Sequence, residues 1–185
     1  MTVSDATTTA VVEFVGRLEA LAGRGGVRAD VARLRRCAGR MLGECPEVFQ
    51  LFYRLLPHAV HGNEQREERY FLVATLYALN QRSSTARDFG ATMSAVAASR
   101  GPGREGIDRR MAVLLDAPLD DLSFRLRQLV ALAASQDIGI NWGSLLDDLL
   151  WWDHPARRVQ KRWARSYFGR ASESEPSTTA ANFKE

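Results

Sequence analysis

Lysine is almost missing from this chain: of its 25 basic residues, all but Lys161 and Lys184 are arginines. Cysteine is reduced to Cys37 and Cys45, and no apolar signal-like segment opens the sequence, so a secreted disulfide framework is not expected. The expected location is the cytoplasm. No apolar run approaches the roughly 20 residues needed to cross a bilayer, because Arg, Asp or Gln interrupts each one, and no membrane partner is expected. Alternating apolar and polar residues, the mark of a half-buried strand, are also scarce. No internal repeat has a solenoid period, and the heptads fade too soon for a coiled coil.

What is present is apolar residues at helical spacing. Val11, Phe14, Val15, Leu18 and Leu21 form one set, and Val31, Leu34, Ala38, Met41 and Leu42 another. Further helices are expected near 46–56, 66–82, 86–98, 107–115, 119–135, 144–152 and 155–169, separated by Gly, Pro and Asn. The expected fold is an all-α helical bundle, in two small lobes joined by a linker helix or loop. A flexible 1–9 precedes an N-terminal lobe over 10–98; a Gly-rich loop at 99–106 follows, then a C-terminal lobe over 107–171 and a disordered tail over 172–185. At 185 residues the chain can bury an adequate core without a staple.

The formal charge of +3 understates how basic the folded part is. The tail carries Glu173, Glu175 and Glu185 against Lys184, a net of −2, so the remainder stands at +5. Wound as a helix from Pro155, segment 155–170 places Ala156, Val159, Trp163 and Tyr167 on one side and Arg157, Arg158, Lys161, Arg162 and Arg165 on the other, with no acid among them. Like charges at i,i+4 repel unless an anion neutralises them, which points to phosphate; the helix C-terminal dipole accounts for part of the cluster. Segment 28–42 repeats the pattern. Leu34, Ala38 and Met41 face inward, Arg33, Arg36 and Arg40 outward, flanked by Arg28 and Arg35. Two smaller groups, Arg109 with Arg110 and Arg125 with Arg127, have Asp108, Asp116, Asp120 and Asp121 close enough in sequence to pair with them. Several arginine groups on one small domain suit a reader of the phosphate backbone with little sequence preference.

Catalytic chemistry finds little support. His58 and His61 lack further ligands beyond Glu64, and Cys37 and Cys45 lack a CxxC partner, so the histidines read as a loop pair and the cysteines as packing residues. Asp120-Asp121 and Asp147-Asp148 read as complements to helix N-termini, the second through a capping box begun by Ser144. The 101–106 loop lacks the Gly-Lys-Ser/Thr end of a P-loop. Trp142, Trp163 and one of Trp151 and Trp152 read as core; the other member of that adjacent pair, ~100° away, is free to reach an interface. No metal, cofactor or catalytic residue is expected. Two competing readings are a helical adaptor binding an acidic protein through its basic face, and a divalent-metal enzyme using Asp147, Asp148 and a histidine.

The run Asn141-Trp142-Gly143-Ser144-Leu145-Leu146-Asp147-Asp148-Leu149-Leu150-Trp151-Trp152, followed by a basic helix, resembles the CasB family, the small subunit of the type I-E CRISPR surveillance complex Cascade. So do Pro46 to Pro57 with Phe52-Tyr53-Arg54-Leu55, Leu34-Arg35-Arg36, Asp108-Arg109-Arg110 through Asp116, and Leu126-Arg127-Gln128-Leu129. The resemblance implies a non-catalytic two-lobed helical subunit, present as two copies beside the backbone and large subunits, that contacts CRISPR RNA and the target and displaced DNA strands and stabilises the R-loop in antiviral defence. Carried over position by position, the implied contacts are Arg35, Arg36, Arg109, Arg110, Arg127, Arg157 and Arg158. Arg33, Arg40, Lys161, Arg162 and Arg165 are added from the helical faces alone. The 99–106 loop is richer in Gly than the family's, and 172–185 extends beyond its last helix.

Overall fold

The computed structural model describes residues 3–23 and 28–169. Among these, α1 (Val3–Gly23), α2 (Arg28–Arg36), α3 (Phe49–Leu55), α4 (Glu64–Leu79), α5 (Phe89–Ser99), α6 (Arg104–Asp116), α7 (Leu119–Ala134), α8 (Trp142–Leu150) and α9 (Arg158–Phe168) carry the fold. The only β-type pairing among the described residues is an isolated bridge between Ser83 and Ile140. The expected all-α class is therefore correct. The tail expected over 172–185 falls outside the described residues.

Helix α4 is apolar nearly all round from Tyr70 onward, and it lies where that pattern demands. From Arg69 to Ala78 every residue of α4 is buried, and α1, α2, α7 and α8 gather around it directly or through one another. The second gathering point is α5, whose Phe89, Met93, Val96 and Ala97 are covered by α6, α7 and α9. A single buried core runs through both groups, from Phe14 and Leu18 to Trp163 and Tyr167. The Gly-rich segment is short: Gly101–Gly103 makes a 3-10 turn and α6 begins at Arg104, within the expected loop.

Several boundaries differ from expectation, each for a local reason. The first helix reaches back to Val3, ahead of the apolar spacing that begins at Val11. The second ends at Arg36 rather than near 42, because the chain turns at Gly39 with φ +84°, a left-handed conformation that suits glycine. Met41, expected inside, is consequently 47% exposed. The segment expected as one helix over 46–56 opens as a 3-10 turn at Pro46–Val48 before α3.

The last helix is corrected at its start. Pro155 is not its first residue; Arg157, at φ +47°, forms the N-cap, and Ala156 is exposed instead of facing the core. Val159, Trp163 and Tyr167 do face inward. The N-terminus of α8 is capped by Asn141, whose side chain accepts from Ser144 N at 3.0 Å, so Ser144 is not the cap that the spacing suggested. Asp120 and Asp121 do fall in the first turn of α7, after Pro118 at its N-cap.

Candidate nucleic-acid interface

The geometry of α9 is set from both flanks. Against α5, the approach is so close that a Cβ on Gly90 would stand 2.3 Å from the Trp163 carbonyl oxygen. Asp88 caps α5 by accepting from Ala91 N at 2.9 Å and accepts from Ser166 Oγ at 2.7 Å, tying the start of α5 to the end of α9. Against α6, Tyr167 Oη donates to Asp108 Oδ1 at 2.7 Å, while Arg157 at the other end pairs with Asp116 at 3.4 Å. The two helices thus run antiparallel. Burial and the Asp108 bond push the Tyr167 hydroxyl above the ordinary tyrosine range, so it stays protonated and donates.

On this frame Arg158, Lys161 and Arg165 project from the outer side of α9 and Arg109 and Arg110 from α6. All five are exposed, and none makes an ion pair or side-chain hydrogen bond among the described residues. Asp108, which sequence proximity offered to Arg109 and Arg110, pairs instead with Arg104 at 3.5 Å, whereas Asp121 does pair with Arg125 as its proximity suggested, at 3.6 Å.

Two members of the expected α9 cluster have structural partners. Arg162 binds Asp148, and the same buried carboxylate accepts from Trp163 Nε1 at 2.6 Å. Arg157 pairs with Asp116 and donates to the Leu115 carbonyl. The face is acid-free in sequence, but α6 and α8 bring carboxylates to it in space. Asp148 accordingly does not complement a helix N-terminus; it satisfies a buried indole. Both oxygens of Asp148, a carboxylate that an Asp147–Asp148 metal enzyme would use, are thus bonded to Arg162 and Trp163.

A second basic surface forms around the turn after α2. Arg33 pairs with Asp30 at 3.4 Å, Arg35 donates to the Leu79 carbonyl at 3.3 Å, and Arg40 reaches the Glu44 carbonyl and stands 4.0 Å from Glu47. Arg36 is exposed and contributes, after the backbone bond and Arg40, to holding the Glu47 carboxyl below its ordinary range. Arg127 joins this group and not Arg125: its Cδ would lie 2.9 Å from a Cβ on Gly39, so its stem covers the turn. Nothing in the linear spacing signals that pairing of α7 with α2.

Three further features have no signal in the linear sequence. A cleft of about 590 Å3 is lined by Met41, Phe49, Tyr53, Glu64, Glu67 and Glu68 among others, combining apolar walls with carboxylates. Arg17 donates to the Arg54, Leu55 and Leu56 carbonyls and so caps the end of α3. Lastly, Cys37, Cys45 and Glu47 bring their donor atoms within 4.8 Å of one another. The histidines keep to their loop, with His58 and His61 rings 5.4 Å apart.

An all-helical bundle with two groups of outward arginines belongs to the broad class of basic helical proteins. Comparison with known proteins narrows this. A family model for CRISPR-associated protein Cse2 matches residues 30–168. A Cse2 protein of Thermus thermophilus is 36% identical over 162 residues, covering 88% of this chain and 92% of that protein. The crystal structure of CasB from Thermus thermophilus superposes with a TM-score of 0.72 at 33% identity, over 86% of this chain and 97% of the other. A chain of a solved CRISPR RNA-guided surveillance complex shares the fold, with a TM-score of 0.72 and 21% identity over 91% of this chain and 99% of that one. The chain belongs to the Cse2 (CasB) family.

Proposed function

We propose that this chain is the non-catalytic small subunit of a type I-E CRISPR Cascade complex, and that its arginine surfaces hold CRISPR RNA and the target and displaced DNA strands so as to stabilise the R-loop. Family membership supports the complex, and one structural observation supports the role. The exposed Arg109, Arg110, Arg158, Lys161 and Arg165 on the α6–α9 pair have no carboxylate to neutralise them among the described residues. Such a group is stabilised by an external polyanion, and guanidinium groups match phosphate geometry in a bidentate fashion. Arg36 and Arg127 offer a second contact at the turn after α2. Arg35, Arg40, Arg33 and Arg157 contribute through whatever donors their internal bonds leave free, and Arg162 acts mainly by anchoring α9.

In this reading guide and target strands read sequence by pairing, and the protein reads only backbone. The partners are the Cascade backbone and large subunits and a second copy of this chain, in the cytoplasm. No helix among the described residues is long and apolar enough to cross a membrane.

The test is fluorescence anisotropy of the purified chain with single-stranded RNA, single-stranded DNA and duplex DNA across a salt series. Binding to unrelated sequences with similar affinity, with log K falling linearly in log salt, is the expected result. Absence of binding at low salt, together with capture of an acidic protein partner by the same faces, would establish the adaptor reading instead.

A further inference from the structure

The chain from Cys37 to Glu47 folds back on itself so that three metal-competent donors converge. Cys37 lies in the turn after α2, Cys45 between the 3-10 turns Leu42–Glu44 and Pro46–Val48, and Glu47 within the second of these. Both sulfurs are buried, neither is in a disulfide, and the carboxylate stands partly in solvent. Cys37 Sγ already donates to Glu47 Oε1 at 3.6 Å. Among the described residues this is the one group of three or more His, Cys, Asp or Glu side chains whose donor atoms lie so close together.

The backbone holds the arrangement without help from the side chains. Arg40 N donates to the Cys37 carbonyl at 3.0 Å and Val48 N to the Cys45 carbonyl at 3.1 Å, while Cys45 N donates to the Leu42 carbonyl at 2.9 Å. Each cysteine is therefore fixed by its own turn, and the left-handed Gly39 brings the two turns together.

We propose that Cys37, Cys45 and Glu47 bind a thiophilic divalent cation of the zinc class, with water as the fourth ligand on the Glu47 side. Two thiolates and a carboxylate suit zinc geometry and softness and disfavour magnesium or calcium, which take oxygen ligands. Binding displaces both thiol protons to solvent, while Glu47 enters as the carboxylate it already is. The occupied site carries one net negative charge, and the Arg36 and Arg40 guanidinium groups flanking Glu47 offset it. The cation would clip the end of α2 to the start of α3 and stiffen the turn on which Arg127 rests.

The experiment uses the full chain, reduced with a phosphine and stripped with a chelator, then titrated with cobalt(II) and afterwards with zinc. The expected result is a thiolate-to-cobalt charge-transfer band that saturates at an equimolar ratio and is displaced by zinc, with both cysteines then protected from alkylation. Cys37→Ser should abolish the band, and Glu47→Gln, which keeps both thiols, should weaken the affinity about tenfold or more. His58→Ala with His61→Ala should change nothing. If wild-type protein gives no charge-transfer band, if the band persists in Cys37→Ser, or if zinc leaves the alkylation rate of both thiols unchanged, the site does not exist. Should Cys37→Ser fail to fold by circular dichroism, Glu47→Gln decides: an unaltered cobalt affinity there removes Glu47 and overturns the three-ligand site.

Discussion

The indole N–H of Trp163 donates to Asp148 Oδ2 at 2.6 Å, and Arg162 closes on the other oxygen of that carboxylate. A buried charge is tolerable when paired and hydrogen-bonded, and costly when one partner goes. Asp148→Ala should therefore destabilise the protein by on the order of 3 kcal/mol in urea unfolding. Arg162→Glu, which sets a second carboxylate against Asp148, should do at least as much. A loss under about 1 kcal/mol for both, the scale of an exposed ion pair, would mean the contact is not structural.

Because Arg162 is bonded to the buried Asp148, charge reversal must avoid it if binding is to be read cleanly. Arg158→Glu, Lys161→Glu and Arg165→Glu together should leave the unfolding midpoint close to wild type and remove most nucleic-acid affinity. For duplex DNA the salt slope should become shallower by about 0.9 for each phosphate that the protein no longer neutralises. Arg36→Glu with Arg127→Glu should give a second, separable decrease. If either set leaves both affinity and slope unchanged, that surface serves protein contacts within the complex.

Gly90 marks where α5 and α9 touch backbone to backbone. With Gly90→Ala the added methyl meets the Trp163 carbonyl at 2.3 Å, so the helices must part. Overpacking of this kind costs about 1–3 kcal/mol. Thermal unfolding should show the loss, whereas Gly16→Ala, which meets nothing within 4 Å, should be neutral or slightly stabilising.

Burial, reinforced by Cys45 and Glu47, raises the Cys37 thiol from 9.0 to about 12. A group whose folded pKa lies above its unfolded value favours folding in its protonated form. That contribution is complete below 9.0 and disappears as pH rises to about 12. In chelator, the unfolding free energy of wild type should fall through this window, and Cys37→Ala should flatten part of the slope. Equal slopes for the two proteins would show that the thiol does not carry the effect.

The adjacent tryptophans should separate sharply. Trp152 is 3% exposed and packs at a tilt against Trp163 with ring centroids 5.1 Å apart, whereas Trp151 is 59% exposed. Trp152→Ala should cost about 3–5 kcal/mol, and Trp151→Ala should leave unfolding nearly unchanged. An equal cost for both would contradict this division.

That division illustrates how much was legible in order and spacing alone. Helical periodicity placed the inward residues of α1 and of α9 from Val159 onward, and the extents of α4, α7 and α8 to within a few residues, because a 3.6-residue period is a local property. It also indicated that one of Trp151 and Trp152 must point away, without saying which. Boundaries governed by special backbone conformations were missed: the left-handed Arg157 delayed α9, and the turn at Gly39 ended α2 early and turned Met41 outward.

Charge was legible as composition and as helical faces, which is why Arg158, Lys161 and Arg165 emerged correctly as an outward group. The fate of each cation was not, since Asp148 and Asp116 reach Arg162 and Arg157 from other helices, and Arg127 meets the α2 turn from a distant part of the chain. Local order in the chain thus decided the helices, their faces and the excess of arginine, because these depend on neighbours within a few residues. Only the packed structure decided which arginines are neutralised inside, which stay exposed without an ion pair among the described residues, and that two cysteines and a glutamate bring their donor atoms within 4.8 Å of one another, because Coulomb attraction and donor convergence depend on distance in space.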